Sequence, residues 1–433
     1  MSSKLSGAHV AHHKNTADKA CVPCNPKSIV VIPMSMHIGA PCIPTVKPGD
    51  EVKVGQVIGD NPEAFVCAPI HSSVSGKVKT VGDFVMPSGM TTKAVTIESD
   101  GLFTVFEDIK PQEVNTKEEL IKAARDCGLV GLGGAGFPSH VKLNPKNPEE
   151  VDTLLINAAE CEPYITVDGR ECIDNTENVL FSVRLILKLL GLKKAAFGVE
   201  KNKPEAIAKL KEATANDENI EVIGLDALYP QGAEKVLIYS ATGRIVPEGK
   251  LPSDVGVIVF NVSSLGKLAN YIKTGMPLTT KNITVDGGAI AEPKNITVPI
   301  GTSISEVAEF CGGYAKEPRK ILMGGPMMGL AMKDDSFPII KNTNAVLFFD
   351  EKEAAPKETS ACIRCARCVR TCPYKLMPVS FERAYERKDV DALNKLKINM
   401  CMECGCCEFI CPANRKLVAN HKLAKQLVKK AKA

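Results

Sequence analysis

No run of apolar residues in this 433-residue sequence approaches the roughly 18 needed to cross a membrane as a helix. The most apolar stretches, such as Val255 to Val262, have the length of buried strands, so the chain is not expected to span a bilayer. The opening segment Met1-Ser-Ser-Lys-Leu-Ser lacks an apolar core followed by a small-residue cleavage site. Secretion is therefore not signalled, and a cytosolic setting is expected. Neither sign of charge is in excess: 54 basic and 50 acidic residues leave a formal net charge of +4, which gives no general reason to bind a polyanion. Nucleic acid is not an expected partner. With 44% hydrophobic residues the chain can bury several cores, and its length suits about two to four domains.

What the sequence has in quantity is cysteine, 17 in all. In a long chain without a secretion signal these point to metal or redox chemistry rather than disulfides. Cys362-x-x-Cys365-x-x-Cys368-x-x-x-Cys372-Pro373 is followed by Cys401-x-x-Cys404-x-x-Cys407-x-x-x-Cys411-Pro412, two copies of the bacterial ferredoxin spacing. Three cysteines at this spacing wrap thiolates around three irons of one 4Fe–4S cubane, while the fourth ligates the other cluster. The ligand sets are therefore expected to cross: Cys362, Cys365, Cys368 and Cys411 for one cluster, Cys401, Cys404, Cys407 and Cys372 for the other. Zinc held by paired C-x-x-C motifs is the competing reading, but the third cysteine and the C-x-x-x-C-P of each repeat are surplus to a tetrahedral site. Cys406 is out of register and is assigned no ligand role. Cys21-x-x-Cys24 with His9, His12 and His13 fits no familiar zinc spacing, so no site is expected there.

The chain divides into four segments. Residues 1–110 hold short β-branched runs between Gly and Pro turns, a small β domain. Within it Val46-Lys-Pro-Gly-Asp-Glu-Val-Lys-Val-Gly-Gln and Ala68-Pro-Ile-His-Ser-Ser-Val-Ser-Gly-Lys-Val resemble the halves of a lipoyl-like barrel sandwich, with His71-Ser72-Ser73 where a carrier lysine would stand. That reads as a docking module rather than a swinging arm. Residues 111–278 alternate strand-like and helical runs, an α/β domain with a largely parallel sheet. Residues 279–345 carry turn-rich short strands, including Gly324-Gly-Pro-Met-Met-Gly, and read as a separate small β domain. A charged linker from Asp350 leads into the cluster domain, 346–433, where Met377 to Lys397 favours helix. The last helix-favouring stretch sets Leu417, Leu423, Leu427 and Val428 among lysines, either an ordinary solvated helix or one touching lipid or an acidic partner.

Two motifs in the α/β segment carry binding chemistry. Gly131-Leu-Gly133-Gly134-Ala135-Gly136-Phe137-Pro138 matches G-x-G-x-x-G formally, but a helical run precedes it and Pro138 follows, which argues against a Rossmann fingerprint. Closely spaced glycines still expose backbone N–H groups to an anion, and Lys142 is near enough in sequence to add charge; a bare turn is the alternative. Asn157-Ala-Ala-Glu160-Cys161-Glu162-Pro163-Tyr164 follows an apolar strand, where α/β sites form; a solvated acidic loop is the alternative.

Together these residues resemble the flavin-binding subunit of respiratory complex I. By that resemblance Gly131, Gly133, Gly134, Ala135, Gly136, Phe137 and Lys142 would line FMN, Asn157 and Glu160 would lie against the flavin, and Glu162 would face NADH as the candidate catalytic residue. Gly232 and Glu234, in Tyr229-Pro-Gln-Gly-Ala-Glu-Lys, and Asn261, in Phe260-Asn-Val, look like further flavin contacts, although Ala233 replaces an acidic residue of that family. The complex I protein has one cluster motif and this chain has two. With His37-Ile-Gly-Ala-Pro, His71-Ser-Ser-Val-Ser-Gly, the glycine loop and Gly324-Gly-Pro-Met-Met-Gly, nearly the whole chain is similar to the RnfC family of the Rnf ion-translocating ferredoxin:NAD⁺ oxidoreductase complexes. This resemblance implies a β-grasp domain of the soluble-ligand-binding (SLBB) type at 279–345 and a peripheral place on the cytoplasmic face of a membrane. It implies an oxidoreductase and translocase component that passes single electrons through two 4Fe–4S clusters to or from FMN, which exchanges hydride with NAD(H). The partners would be other members of the Rnf complex, and the work done would be Na⁺ or H⁺ transport. Two alternatives stand: a soluble NADH-linked protein feeding an amino-acid reductase such as proline reductase, and a relay without flavin.

Overall fold

The β-branched runs near the N-terminus form two small antiparallel sheets. One is ordered Ile29–Pro33, Thr91–Ser99, Gly76–Val85, Glu51–Val52, and the other Ile43–Pro44, Val57–Asp60, Ile70–His71. The structure is a computed structural model that describes residues 5–26 and 29–431. A swinging arm needs its tip in solvent, but His71 is only 4% exposed and Ser72 and Ser73 are buried with it. Ser73 Oγ donates to Ile300 O at 2.5 Å, so this tip docks inside the molecule.

The strand–helix alternation builds a four-stranded sheet, all parallel, in the order Ile220–Leu225, Lys194–Glu200, Thr153–Ala158, Val257–Asn261. Leu154, Leu155 and Ile156 are fully buried, as expected of a strand covered on both faces. The chain winds outward from Thr153–Ala158 for two strands and then returns to its other side. That reversal opens a crevice at the C-terminal ends of Thr153–Ala158 and Val257–Asn261, where the register sets Asn157 beside Asn261. Ahead of the sheet, Lys117–Asp126 is a helix begun by a capping box between Thr116 and Glu119. It leads directly into the glycine loop.

A six-stranded mixed sheet follows in the order Val22–Pro23, Lys294–Pro299, Thr280–Asp286, Ala345–Phe349, Lys320–Met323, Leu330–Met332. Ala345–Phe349 is an interior strand, buried along its length, so this sheet runs past residue 345. Its edge strand Val22–Pro23 belongs to a strap, residues 5–26, that precedes the first small sheets and joins distant parts of the chain. Thr16, Thr166, Thr284 and Asn295 hydrogen-bond to one another beneath that strap. The final segment is helical, with Leu376, Phe381, Ala384, Leu393, Ile398, Ala424 and Val428 as its core. In the last helix, Leu417–Lys430, the residues Leu417, His421, Ala424 and Val428 are buried in that packing, while Leu423 stays exposed.

Lys341 ties three units together. Fully buried, its Nζ donates to Pro69 O at 2.5 Å and Gly128 O at 2.7 Å, joining the first β domain to the residue that starts the glycine-loop approach. Burial lowers its pKa to about 8. Replacing it with methionine keeps the bulk and leaves two buried carbonyls without a donor. We expect Lys341→Met to cost about 2 kcal/mol, read as a lowered unfolding midpoint in denaturant.

Candidate cofactor sites

The glycine loop stands over the crevice. The amides of Gly131 and Leu132 are used within the protein, on Phe137 O at 2.9 Å and Ser264 Oγ at 3.1 Å, which closes the loop's base. Gly133, Gly134 and Ala135 form its exposed crest. A Cβ on Gly133 would stand 2.4 Å from Asn261 Nδ2, whereas one on Gly134 would meet nothing within 4 Å. Gly133 is therefore required by the protein's own packing, and Gly134 borders open space above the crevice. Gly136, at φ 73°, brings the chain against Met36 and His37.

The sheet ends supply the rest. Asn157 Nδ2 donates to Gly232 O at 2.8 Å, and Asn261 Nδ2 donates to Asp168 Oδ2 at 2.7 Å. Glu160 accepts from the amides of Asp168 and Gly169, at 2.6 and 3.4 Å. Gly133, Asn157, Glu160, Gly232 and Asn261 thus converge on the crevice. Lys142 is occupied elsewhere: its Nζ donates to Glu234 Oε2 at 3.1 Å and Val259 O at 3.0 Å, so its charge is matched by a carboxylate. The exposed crest and the tight Gly133–Asn261 contact fit a phosphate and a flat ring approaching the backbone closely.

The acidic loop is held by two lysines that its motif does not announce. Lys14 Nζ, from the strap, donates to Glu160 O and Glu162 O at 2.9 Å and to Ile165 O at 2.5 Å. Lys203 Nζ donates to Ala159 O at 2.7 Å. His12 O accepts from Tyr164 N at 2.9 Å, and the His13 ring stacks on Tyr164 with centroids 4.8 Å apart. Glu162, expected to face NADH, is turned under the Gly324–Gly329 loop. Its Oε2 accepts from Met327 N at 3.0 Å and its Oε1 from Tyr229 OH at 3.3 Å. A Cβ on Gly325 would lie 2.2 Å from Glu162 Oε2, so that glycine is what lets the loop close over the carboxyl. Burial raises the pKa of both Glu160 and Glu162 to about 7.

The cysteines gather into two groups. One cavity is lined by Cys372, Cys401, Cys404 and Cys407, with Cys406, Tyr374, Phe381 and His421. The other is lined by Cys362, Cys365, Cys368 and Cys411, with Arg364, Arg367, Arg383 and Arg415. Each group draws on both repeats, and all eight thiols are unlinked. The repeats also match in backbone: left-handed residues fall at Arg364, Ala366 and Lys375 in the first and at Glu403, Gly405 and Asn414 in the second. Such alternation turns amides inward and makes a concavity for an anion, so the residues fit a pair of anionic clusters. Cys404 and Cys406 pack with Ala8, Val10 and Tyr229, beside Cys161 and Met327. Cys406 Sγ lies 3.5 Å from Tyr229 O, and a Cβ on Gly405 would come 3.0 Å from Met327 O. The first cavity therefore shares a wall with the acidic loop.

Four family models match in chain order: the RnfC barrel sandwich hybrid domain at residues 3–102, the Nuo51 FMN-binding domain at 124–270, the SLBB domain at 282–331 and a 4Fe–4S dicluster domain at 356–412. The chain is 44% identical over 369 residues to the RnfC-type subunit of the proton-translocating ferredoxin:NAD(+) oxidoreductase complex of Clostridium ljungdahlii, covering 84% of this chain and 80% of that one. The chain belongs to the RnfC family. The equivalent protein of the Na(+)-translocating ferredoxin:NAD(+) oxidoreductase complex of Acetobacterium woodii is 42% identical, covering 88% and 87% of the two chains. That of the ion-translocating oxidoreductase complex of Rhodobacter capsulatus is 36% identical, covering 97% and 82%. None of these three relatives is named for an amino-acid reductase. A crystal structure of a NAD+-reducing NiFe-hydrogenase in the H2-reduced state shares the fold, with a TM-score of 0.50 at 18% identity over 72% of this chain and 63% of that one. This RnfC-family chain thus has an FMN-binding domain and a dicluster domain, and the crevice and the paired cavities lie within them.

Lys14, Lys203, Asp168, Tyr229 and Met327 were not reachable from motif spacing. Only Gly324-Gly-Pro-Met-Met-Gly gave a signal, as a turn whose role was unassigned. We expect Gly134→Ala to leave the stability of the flavin-free protein unchanged while weakening FMN binding about tenfold or more, about 1.4 kcal/mol, in a flavin fluorescence titration. Gly133→Ala should lower both. The Glu162 carboxyl contributes stability that is full below its ordinary pKa and is lost as pH rises through about 7. Glu162→Gln should therefore flatten part of the fall in unfolding midpoint between about pH 5 and pH 8, by roughly 2–3 kcal/mol in stability.

Proposed function

We propose that this chain is the peripheral electron-transfer subunit of an ion-translocating ferredoxin:NAD⁺ oxidoreductase, with FMN in the crevice and the two 4Fe–4S clusters on crossed cysteine sets. The observation that carries this reading is the shared wall, in which Cys404 and Cys406 pack on Tyr229 and Met327, and both of those hydrogen-bond to Glu162. When bound, FMN supplies the exchange between a hydride and single electrons, which the clusters carry one at a time.

The chain's residues bind, orient and enclose. The crest amides of Gly133, Gly134 and Ala135 receive the phosphate, and Asn157, Glu160 and Asn261 border the ring. Gly131, Gly136 and Phe137 set the loop's shape, and Gly232 and Glu234 fix Asn157 and Lys142 from behind. Glu162 holds a proton at its carboxyl up to about pH 7, between the crevice and the cysteines. Its partners in this reading are the other members of such a complex, which the relatives' names tie to H⁺ in one organism and Na⁺ in another. No helix among the described residues is long and apolar enough to cross a membrane, which suits attachment to the cytoplasmic face through those partners.

Anaerobically purified protein should carry about eight irons and one FMN per chain, and NADH should bleach the flavin. A flavin-free protein after mild reconstitution would sink the proposal. The crossing has its own readout. Cys372→Ser and Cys401→Ser should abolish one and the same reduced-cluster EPR signal, and Cys362→Ser and Cys411→Ser the other. Pairing of Cys372→Ser with Cys362→Ser would instead mean that each repeat holds its own cluster.

A further inference from the structure

We propose that His37, Cys42 and Cys67 of the first β domain form a Zn²⁺ site, a third metal centre separate from both clusters. The three residues are 5 and 25 positions apart in sequence, and the two small sheets bring their ligand atoms together. Cys42 Sγ and Cys67 Sγ are 3.5 Å apart, and His37 Nε2 lies 3.8 and 3.7 Å from them. Zinc bonded at about 2.3 Å to sulfur and about 2.05 Å to nitrogen in a tetrahedron has edges of about 3.8 Å between sulfurs and about 3.6 Å from sulfur to nitrogen. The observed triangle agrees with that face to about 0.3 Å, so a zinc ion sits above it without rearranging the backbone.

The imidazole is already in the required tautomer. The amide of Ala68 donates to Nε2 at 3.2 Å, which places the lone pair there, and Nδ1–H then faces Ile38 O at 3.2 Å. A backbone carbonyl on the second nitrogen is the usual way a ligating histidine is oriented. Both thiols are buried while His37 is half-exposed, so the fourth position opens towards solvent. On binding, two thiol protons leave to solvent, two Zn–S bonds and one Zn–N bond form, and nothing is oxidised. Two thiolates and an imidazole at tetrahedral spacing favour Zn²⁺ over harder divalent cations. His140, whose Nδ1 is buried without a hydrogen-bond partner, is a further nitrogen donor in this region.

The site has a structural consequence for the crevice. Ile38 N donates to Gly136 O at 3.2 Å, and a Cβ on Gly136 would lie 3.4 Å from His37 Cα. Fixing His37 to Cys42 and Cys67 therefore braces the glycine loop from outside.

The test uses the full chain, purified anaerobically, equilibrated with Zn²⁺ alone and desalted, with zinc and iron measured in the same sample. Wild type should hold about one zinc per chain in addition to its iron. Cys42→Ser with Cys67→Ser should bring zinc to background with iron unchanged, and His37→Ala, at a half-exposed position, should weaken zinc binding about tenfold or more. Zinc equally retained by the double variant, zinc absent from wild type, or a Cys42–Cys67 disulfide found by anaerobic thiol mapping would each overturn the proposal.

Discussion

A single buried carboxyl joins the two halves of this molecule's chemistry. Glu162 leaves the end of the parallel sheet and meets Met327 from a different sheet and Tyr229 from a different loop. A carboxyl taken out of water without partners costs several kcal/mol, so these two donors are what permit it to be there. The same contacts fix Met327, whose carbonyl lies against Gly405, and Tyr229, whose carbonyl lies against Cys406. Move Glu162 and the cysteine loop loses the surface on which it rests.

That carboxyl sits on a loop the backbone alone would not favour. Glu160 at φ 50° and Tyr164 at φ 70° are left-handed residues with side chains, each at a cost of about 1 kcal/mol or more. Three carbonyls of this loop converge on Lys14 Nζ and a fourth on Lys203. Two ammonium groups thus offset both the strained turn and the nearby carboxylates. Burial still lowers the pKa of Lys14 to about 8, because the attraction of Glu160 does not fully compensate for lost water.

These facts explain what the sequence could reveal. The cysteine groups were legible because each ligand set is defined by local spacing plus one crossing rule, and the sheet because its strands are continuous apolar runs. Asn157 and Asn261 were legible as strand ends, and the register then made them neighbours. The strap was not: residues 5–26 have no apolar period, and Lys14 works through its reach to residues about 150 positions away. Lys142 was assigned to the cofactor by its place after the glycines, yet Glu234, 92 residues on, is what it binds. His37, Cys42 and Cys67 have no motif spacing at all. Only the folding of two small sheets makes them a cluster, so a scan for paired cysteines stops at Cys21 and Cys24 and passes over them.

Duplication makes the two cysteine groups alike in ligand order and in backbone, down to the left-handed residues at matching offsets. Their surroundings are not alike. The group beside Glu162 is walled by Tyr374, Phe381 and His421, with the His421 ring 3.6 Å from Cys401 Sγ. The other is rimmed by Arg364, Arg367, Arg383 and Arg415, although Arg415 is paired with Glu382 and Glu386. An anionic group in the first relies on backbone amides and burial, and one in the second gains guanidinium charge at a partly exposed rim. Charge, hydrogen bonds to sulfur and exposure are the terms that separate otherwise equal clusters. The inequality therefore arises outside the motif, in residues that neither repeat specifies, and it gives the row of sites two distinguishable ends.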